Sequence, residues 1–150
     1  MLVGALVLQG CASKQGAPAT PAAGSTLAAE RQWLQSWFEG TPVVIAQRDD
    51  DVLTIDVPRE FSFDKGYSTV KPPLAKVLDK VADSLRRTPQ IRLQVAAPDD
   101  TGAATALARQ RAAQVRHQLL VRSVPAARMG RPTVTTAPAV QVRMEFTPSR

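Results

Sequence analysis

The sequence predicts an α+β domain in which two long helices cover one mixed sheet, preceded by a short helix and a hairpin. Three observations carry that expectation. Leu74, Val77, Leu78, Val81 and Leu85 recur at the three- and four-residue steps that make one apolar stripe along a helix. Ile91-Arg92-Leu93-Gln94-Val95 alternates strictly, the pattern of a strand with one buried face. Val43-Val44-Ile45-Ala46 and Val52-Leu53-Thr54-Ile55-Asp56-Val57, rich in β-branched residues, flank the polar Arg48-Asp49-Asp50-Asp51 and read as a hairpin with its turn.

Taken in order, Leu27, Glu30, Arg31, Leu34, Trp37 and Phe38 mix apolar and charged residues at helical spacing, and Gly40-Thr41-Pro42 ends this short helix. The hairpin follows. Its adjacent aspartates are a solvated turn, because no Ca2+-loop spacing follows them. Phe61 to Thr69 is a loop with two aromatics and Gly66. The first long helix opens at about Lys71. Pro72 and Pro73 fit its first turn, where a missing N–H leaves no bond unmade, and Thr88-Pro89 stops it. The Ile91 strand leads into a turn, Pro98-Asp99-Asp100-Thr101-Gly102. The second long helix runs from about Ala104 to Val121, Val124 to Arg131 is a loop, and Ala139 to Phe146 is a closing strand. Sparse aromatics leave Val, Leu, Ile and Ala to fill the core.

Ahead of the domain the composition changes twice. Met1 to Leu8 is an almost unbroken apolar run. It is too short to span a bilayer as a helix, which takes roughly 20 residues, and it suits the apolar part of an export signal. Leu8-Gln9-Gly10-Cys11 resembles the bacterial lipobox, whose cysteine is acylated and becomes the new N-terminus. A charged leader is expected upstream of Met1. Ala12 to Ser25 is almost entirely Ala, Gly, Pro, Ser and Thr, with Lys14 its only charge. So little apolar surface cannot offset the entropy of ordering, and a flexible tether is expected. The expected division is a signal segment over 1–10, a lipidated Cys11 with its tether over 11–25, and a folded domain over 26–150. Ala12, rather than Asp, follows the cysteine. By resemblance to enterobacterial lipoproteins this implies a lipid anchor on the periplasmic face of the outer membrane.

The chain carries a formal charge of +6. Between Thr101 and Met144 stand Arg109, Arg111, Arg116, Arg122, Arg128, Arg131 and Arg143, with no Asp or Glu. Such a field favours anionic partners: lipid head groups, cell-wall carboxylates or nucleic acid. Export argues against nucleic acid. A solvated surface is the plainer account of most of these arginines taken singly. One cysteine excludes an internal disulfide. His117, the only histidine, lies in an arginine-rich helix with no nucleophile paired to it, so no catalytic residues and no enzyme are expected. No Cys or His cluster suits a transition metal, and no cofactor is implied.

Arg111 stands apart. Leu107, Val115 and Leu119 share a helix face, and Arg111 lies on that face between Leu107 and Val115. A buried arginine needs a partner, so it either snorkels to the rim or meets a carboxylate. The turn with Asp99 and Asp100 is the candidate. An Arg and an Asp held at a strand end can grip a zwitterion, the fork taking a carboxylate and the aspartate an ammonium. They can equally form a plain ion pair tying strand to helix. On this reading Arg111→Leu merely continues the stripe and costs little stability.

These residues also carry a resemblance. Phe61-Ser62-Phe63-Asp64-Lys65-Gly66, Pro72, the Leu74 helix, the Ile91 strand, the acid-Thr-Gly turn and Leu107-Ala108-Arg109-Gln110-Arg111-Ala112 resemble the OmpA C-terminal-like domain family, which includes the peptidoglycan-associated lipoprotein. Val124-Pro125-Ala126-Ala127-Arg128 is similar to the loop after that family's second long helix. The resemblance spans about residues 52 to 146. It implies a two-layer βαβαβ sandwich that binds the diaminopimelate of peptidoglycan without a covalent bond, through an Asp of the strand-end loop and the Arg of the helix motif. Arg111 takes the arginine place. For the Asp, spacing to Gly102 favours Asp99, whereas the inside-outside phase of Ile91, Leu93 and Val95 favours Asp100 and is given slightly more weight. The family's Gly-His-Thr-Asp is Ala-Pro-Asp-Asp here, and the segment from the Asp to Arg111 is shorter than usual. Two readings therefore stand: a lipid-anchored wall-binding module, or an OmpA-like scaffold that has lost wall binding and serves an envelope protein complex.

Overall fold

The computed structural model describes residues 23–148. The signal segment, Cys11 and residues 12–22 of the tether lie outside the described residues. The first helix, α1 (Ala23–Phe38), starts within the stretch assigned to the tether and is as long as the other two main helices, sixteen residues each. Composition misjudged its length because packing decides it. Leu27 and Leu34 are fully buried and Phe38 nearly so. Gln47 Nε2 donates to the Gly24 carbonyl at 3.3 Å, joining the first turn to the hairpin.

The hairpin strands are β1 (Val44–Asp49) and β2 (Val52–Pro58), with a bulge between Gln47 and Asp49. One turn of helix, α2 (Arg59–Ser62), leads to the loop before α3 (Pro72–Arg87). Then come β3 (Ile91–Ala97), α4 (Ala106–Val121), a 3-10 turn over Ala126–Arg128, the two-residue β4 (Thr133–Val134) and β5 (Ala139–Phe146). Neither α2 nor β4 was expected, since two to four residues show no periodicity.

The sheet order is β1-β2-β5-β3-β4. β5 runs antiparallel to both neighbours, and β4 lies parallel to β3, so the sheet is mixed. Leu53, Ile55 and Val57 of β2, Ile91, Leu93 and Val95 of β3, and Val140, Val142 and Met144 of β5 point into one core. The α3 stripe meets them, every member buried. α1 lies against β1 and β2, α4 against β3 and β4, and α3 touches both helices. The helical layer thus holds three helices rather than two. The opposite sheet face, with Thr54, Asp56, Gln94, Gln141 and Arg143, is polar and, among the described residues, without a helical cover, the usual arrangement for antiparallel strands with one solvated side.

Two polar contacts fasten the layer. Glu30 of α1 is buried and accepts from the Ser84 hydroxyl, from Arg87 Nη2 at 2.7 Å and from the Thr88 hydroxyl at 3.4 Å. Arg128 donates to the carbonyls of Leu85, Thr88 and Ile91, holding the end of α3 to the start of β3. Burial lowers the Arg128 pKa from its ordinary value.

Candidate functional site

At the C-terminal end of β3 the chain leaves the sheet through Pro98, Asp99 and Asp100, and two aspartates side by side take opposite tasks. Asp99 is buried. Its Oδ1 accepts from the backbone N–H groups of Thr101, Gly102 and Ala103 at 2.7, 2.6 and 3.0 Å, and its Oδ2 from the Thr101 hydroxyl at 2.9 Å. Burial pushes its carboxyl upward. The hydrogen bonds from the Thr101 backbone and hydroxyl, the Ala103 backbone and the Thr105 hydroxyl outweigh that and bring the pKa to about 2. Gly102 supplies the positive φ of 82° that the turn requires. Thr105 then caps α4 by accepting from the Ala108 N–H at 3.3 Å.

Asp100 faces the other way and meets Arg111. Arg111 Nη2 donates to Asp100 Oδ1 at 2.8 Å, and the Gly66 N–H donates to Oδ2 at 2.7 Å. Gly66 has φ 79°, which a residue with a Cβ would adopt only under strain. Burial again pushes the acid upward. The hydrogen bonds from Arg111 and Gly66, with the charges of Arg111 and Arg59, hold it below the usual carboxylate range.

Arg111 itself is 0% exposed. Besides Asp100 it donates from Nε to the Tyr67 carbonyl at 2.8 Å, from Nη1 to Pro98 at 3.2 Å and from Nη2 to Asp64 at 3.1 Å. Its guanidinium carbon lies 4.9 Å from the centre of the Phe63 ring. Four of the five N–H bonds of a guanidinium are therefore spoken for, and no surface is left for a ligand. The helix arginine knots together the 63–70 loop, the end of β3 and α4. Of the two sequence alternatives for the Arg111 partner, Asp100 forms the pair, and Asp99 shapes the turn.

What remains open is a groove beside this knot. Arg59, Glu60, Phe63, Asp64, Lys65, Lys71 and Asp100 line a depression of about 460 Å3. Arg59 Nη1 donates to the Asp99 carbonyl at 3.1 Å. Lys71 Nζ donates to the Glu60 carbonyl at 2.8 Å and pairs with Asp64 Oδ1 at 3.3 Å. Cations and carboxylates thus stand on one rim. Asp100 retains partial exposure, and each of its oxygens has a lone pair beyond the one already used. Sequence reading missed Arg59, Lys65 and Lys71 as site residues because it took the 61–69 loop for its aromatics and glycine and Lys71 only as a helix start. The alternating Arg59-Glu60 and Asp64-Lys65 pairs were the available signal.

Other features of the described residues are quieter. No group of three or more His, Cys, Asp or Glu is placed to hold a metal. His117 is exposed on α4. A larger depression of about 610 Å3 between α1 and β1, lined by residues such as Gln35, Phe38 and Val43, shares no residue with the charged groove.

No protein-family model matches the chain. No curated protein matches it by sequence. Solved structures do resemble it in fold. A MotB-like protein from Desulfovibrio vulgaris superposes with a TM-score of 0.68 at 16% identity, over 83% of this chain and 94% of that one. The cell wall anchor of the T6SS from Pseudomonas aeruginosa gives 0.58 at 17% identity, over 85% and 99%. The OmpA-like domain of FopA1 from Francisella tularensis subsp. tularensis SCHU S4 gives 0.51 at 10% identity, over 72% and 82%.

Proposed function

We propose, from the OmpA-like fold that these likenesses share with the chain, that the protein is a lipid-anchored envelope lipoprotein whose domain binds peptidoglycan noncovalently. The observation that carries the reading is the groove in which Asp100, fixed by Arg111 and Gly66, stands beside Arg59 and Lys71. A zwitterionic stem-peptide residue such as diaminopimelate presents an ammonium and a carboxylate a few bonds apart. Asp100 would accept from the ammonium, and Arg59 and Lys71 would face the carboxylate. Arg111 would act through Asp100, holding it in place, and Asp99 through the shape of the turn. The names of the solved relatives support this use of the fold, one of them being a cell wall anchor. The lipobox-like Leu8-Gln9-Gly10-Cys11 supports acylation at Cys11, and Ala12 supports retention at the outer membrane.

The test is co-sedimentation of the full chain with purified sacculi. Wild-type protein is expected in the pellet, Asp100→Asn (which keeps an oxygen for Arg111) and Lys71→Ala in the supernatant, with unchanged circular dichroism. A second reading has its own observation: Arg111 is sealed from solvent and Asp99 is consumed by its turn, so of the three candidate residues only Asp100 has anything to offer a ligand directly. If wild-type protein stays in the supernatant, wall binding has been lost and the domain is a scaffold within an envelope protein complex.

A further inference from the structure

Of the seven arginines between Thr101 and Met144, the fold employs four. Arg111 and Arg128 hold backbone carbonyls, Arg122 pairs with Asp79, and Arg143 with Glu145 at 3.7 Å. Arg109, Arg116 and Arg131 remain. Among the described residues none of the three belongs to an ion pair. Arg109 makes only a 3.5 Å bond to the Ala104 carbonyl.

The three share a side of the molecule. Arg109 and Arg116 are seven residues apart on α4, so they lie on one line of the helix, about 10 Å apart along its axis. Ala113 lies between them on the same line. Ala113 and Arg116 form one wall of a depression of about 320 Å3, and Arg131, with Gly130 and Pro132, forms the other. Arg109 and Arg131 are exposed and Arg116 is half-buried, and no carboxylate occurs between Thr101 and Met144. Unpaired like charges this close repel one another and weaken the isolated domain. A surface of anions relieves that repulsion.

We infer that this face, Arg109, Arg116 and Arg131, docks the domain on a membrane surface rich in anionic phospholipid. Guanidinium presents a planar fork that matches phosphate oxygens two at a time. The patch carries no large exposed apolar side chain to insert into acyl chains, so the contact is peripheral and salt-sensitive. The anchoring reading adds proximity, and this use of the patch rests on it in part. Only residues 12–22 separate Cys11 from α1, and eleven residues reach at most about 40 Å. The Asp100 groove plays no part in the contact.

The experiment uses the full chain with Cys11→Ser, so that no acyl group contributes, and vesicles of either phosphatidylglycerol or phosphatidylcholine. Residues 1–10 are common to every protein compared, so only differences report on the patch. Co-sedimentation is expected with phosphatidylglycerol vesicles, not with phosphatidylcholine, and should fade as salt is raised. The triple variant Arg109→Glu, Arg116→Glu, Arg131→Glu should lose roughly a hundredfold in apparent affinity. It should still bind sacculi if the wild type does, which separates this inference from the wall-binding reading. A control triple with the same charge change elsewhere, Arg48→Glu, Lys76→Glu, Arg92→Glu, should bind vesicles nearly as the parent does. Equal loss in both triples would reduce the effect to net charge and overturn the docking face. So would equal binding to both lipids, or no binding by the parent protein.

Discussion

Arg111 donates to three backbone carbonyls as well as to Asp100, and this decides what its removal does. Leucine in its place would take a donor from each of those carbonyls and leave the partly buried Asp100 with only the Gly66 N–H, so Arg111→Leu is expected to destabilise the domain by about 3–5 kcal/mol in urea denaturation. The stripe alone argued for a nearly silent change, and the loop contacts reverse that expectation. Asp99 carries a second consequence. Its folded pKa of about 2 lies below the ordinary 3.8, and Asp100 is lowered too. A depressed carboxyl stabilises the fold above its unfolded pKa and loses that contribution as pH falls toward the folded value. Stability should therefore decline from about pH 4 to about pH 2, and less steeply in Asp99→Asn, as thermal midpoints across that range would show. The burial of Arg111 was legible from helix spacing. Its carbonyl partners were not, because two of the three, Asp64 and Tyr67, come from a loop more than forty residues away in sequence.

At the level of elements, periodicity served well wherever a segment was long enough to display it. All five stripe residues of α3 are buried, and the alternation of β3 matches its buried and exposed positions. It found the body of α1 but missed its first turn, whose Ala-Gly-Ser-Thr is shared by tethers and helices alike. The decisive facts there are tertiary: Glu30 seated among Ser84, Arg87 and Thr88, and the Trp33 and Trp37 rings beneath Arg87 and Lys80. Leu34→Ala should accordingly cost about 2–5 kcal/mol, a core truncation rather than a surface change. A midpoint unchanged by Leu34→Ala would mean that α1 is an appendage. Thr105→Ala should cost about 1 kcal/mol through loss of the α4 cap.

For the whole molecule, the separation of domain from anchor is the matter to test. Deleting residues 12–22 is expected to leave the thermal midpoint of the domain unchanged, and a clear drop would place that segment against the folded part. Expressed behind a fused export leader in a Gram-negative host, the protein should take up a fatty-acid label, and Cys11→Ser should abolish it. A labelled Cys11→Ser protein would remove the lipoprotein reading and leave the OmpA-like fold untouched.

The strand order has a temporal meaning. β5 is the last element of the chain, yet it occupies the middle of the sheet, paired with β2 on one side and β3 on the other. A nascent chain that has emerged only through Thr136 holds two detached strand groups, β1-β2 and β3-β4, with no ladder between them. The five-stranded sheet can therefore close only after synthesis has passed Phe146. A chain threaded through a translocation pore as it is made would arrive on the far side still slack, with its final strand acting as the latch.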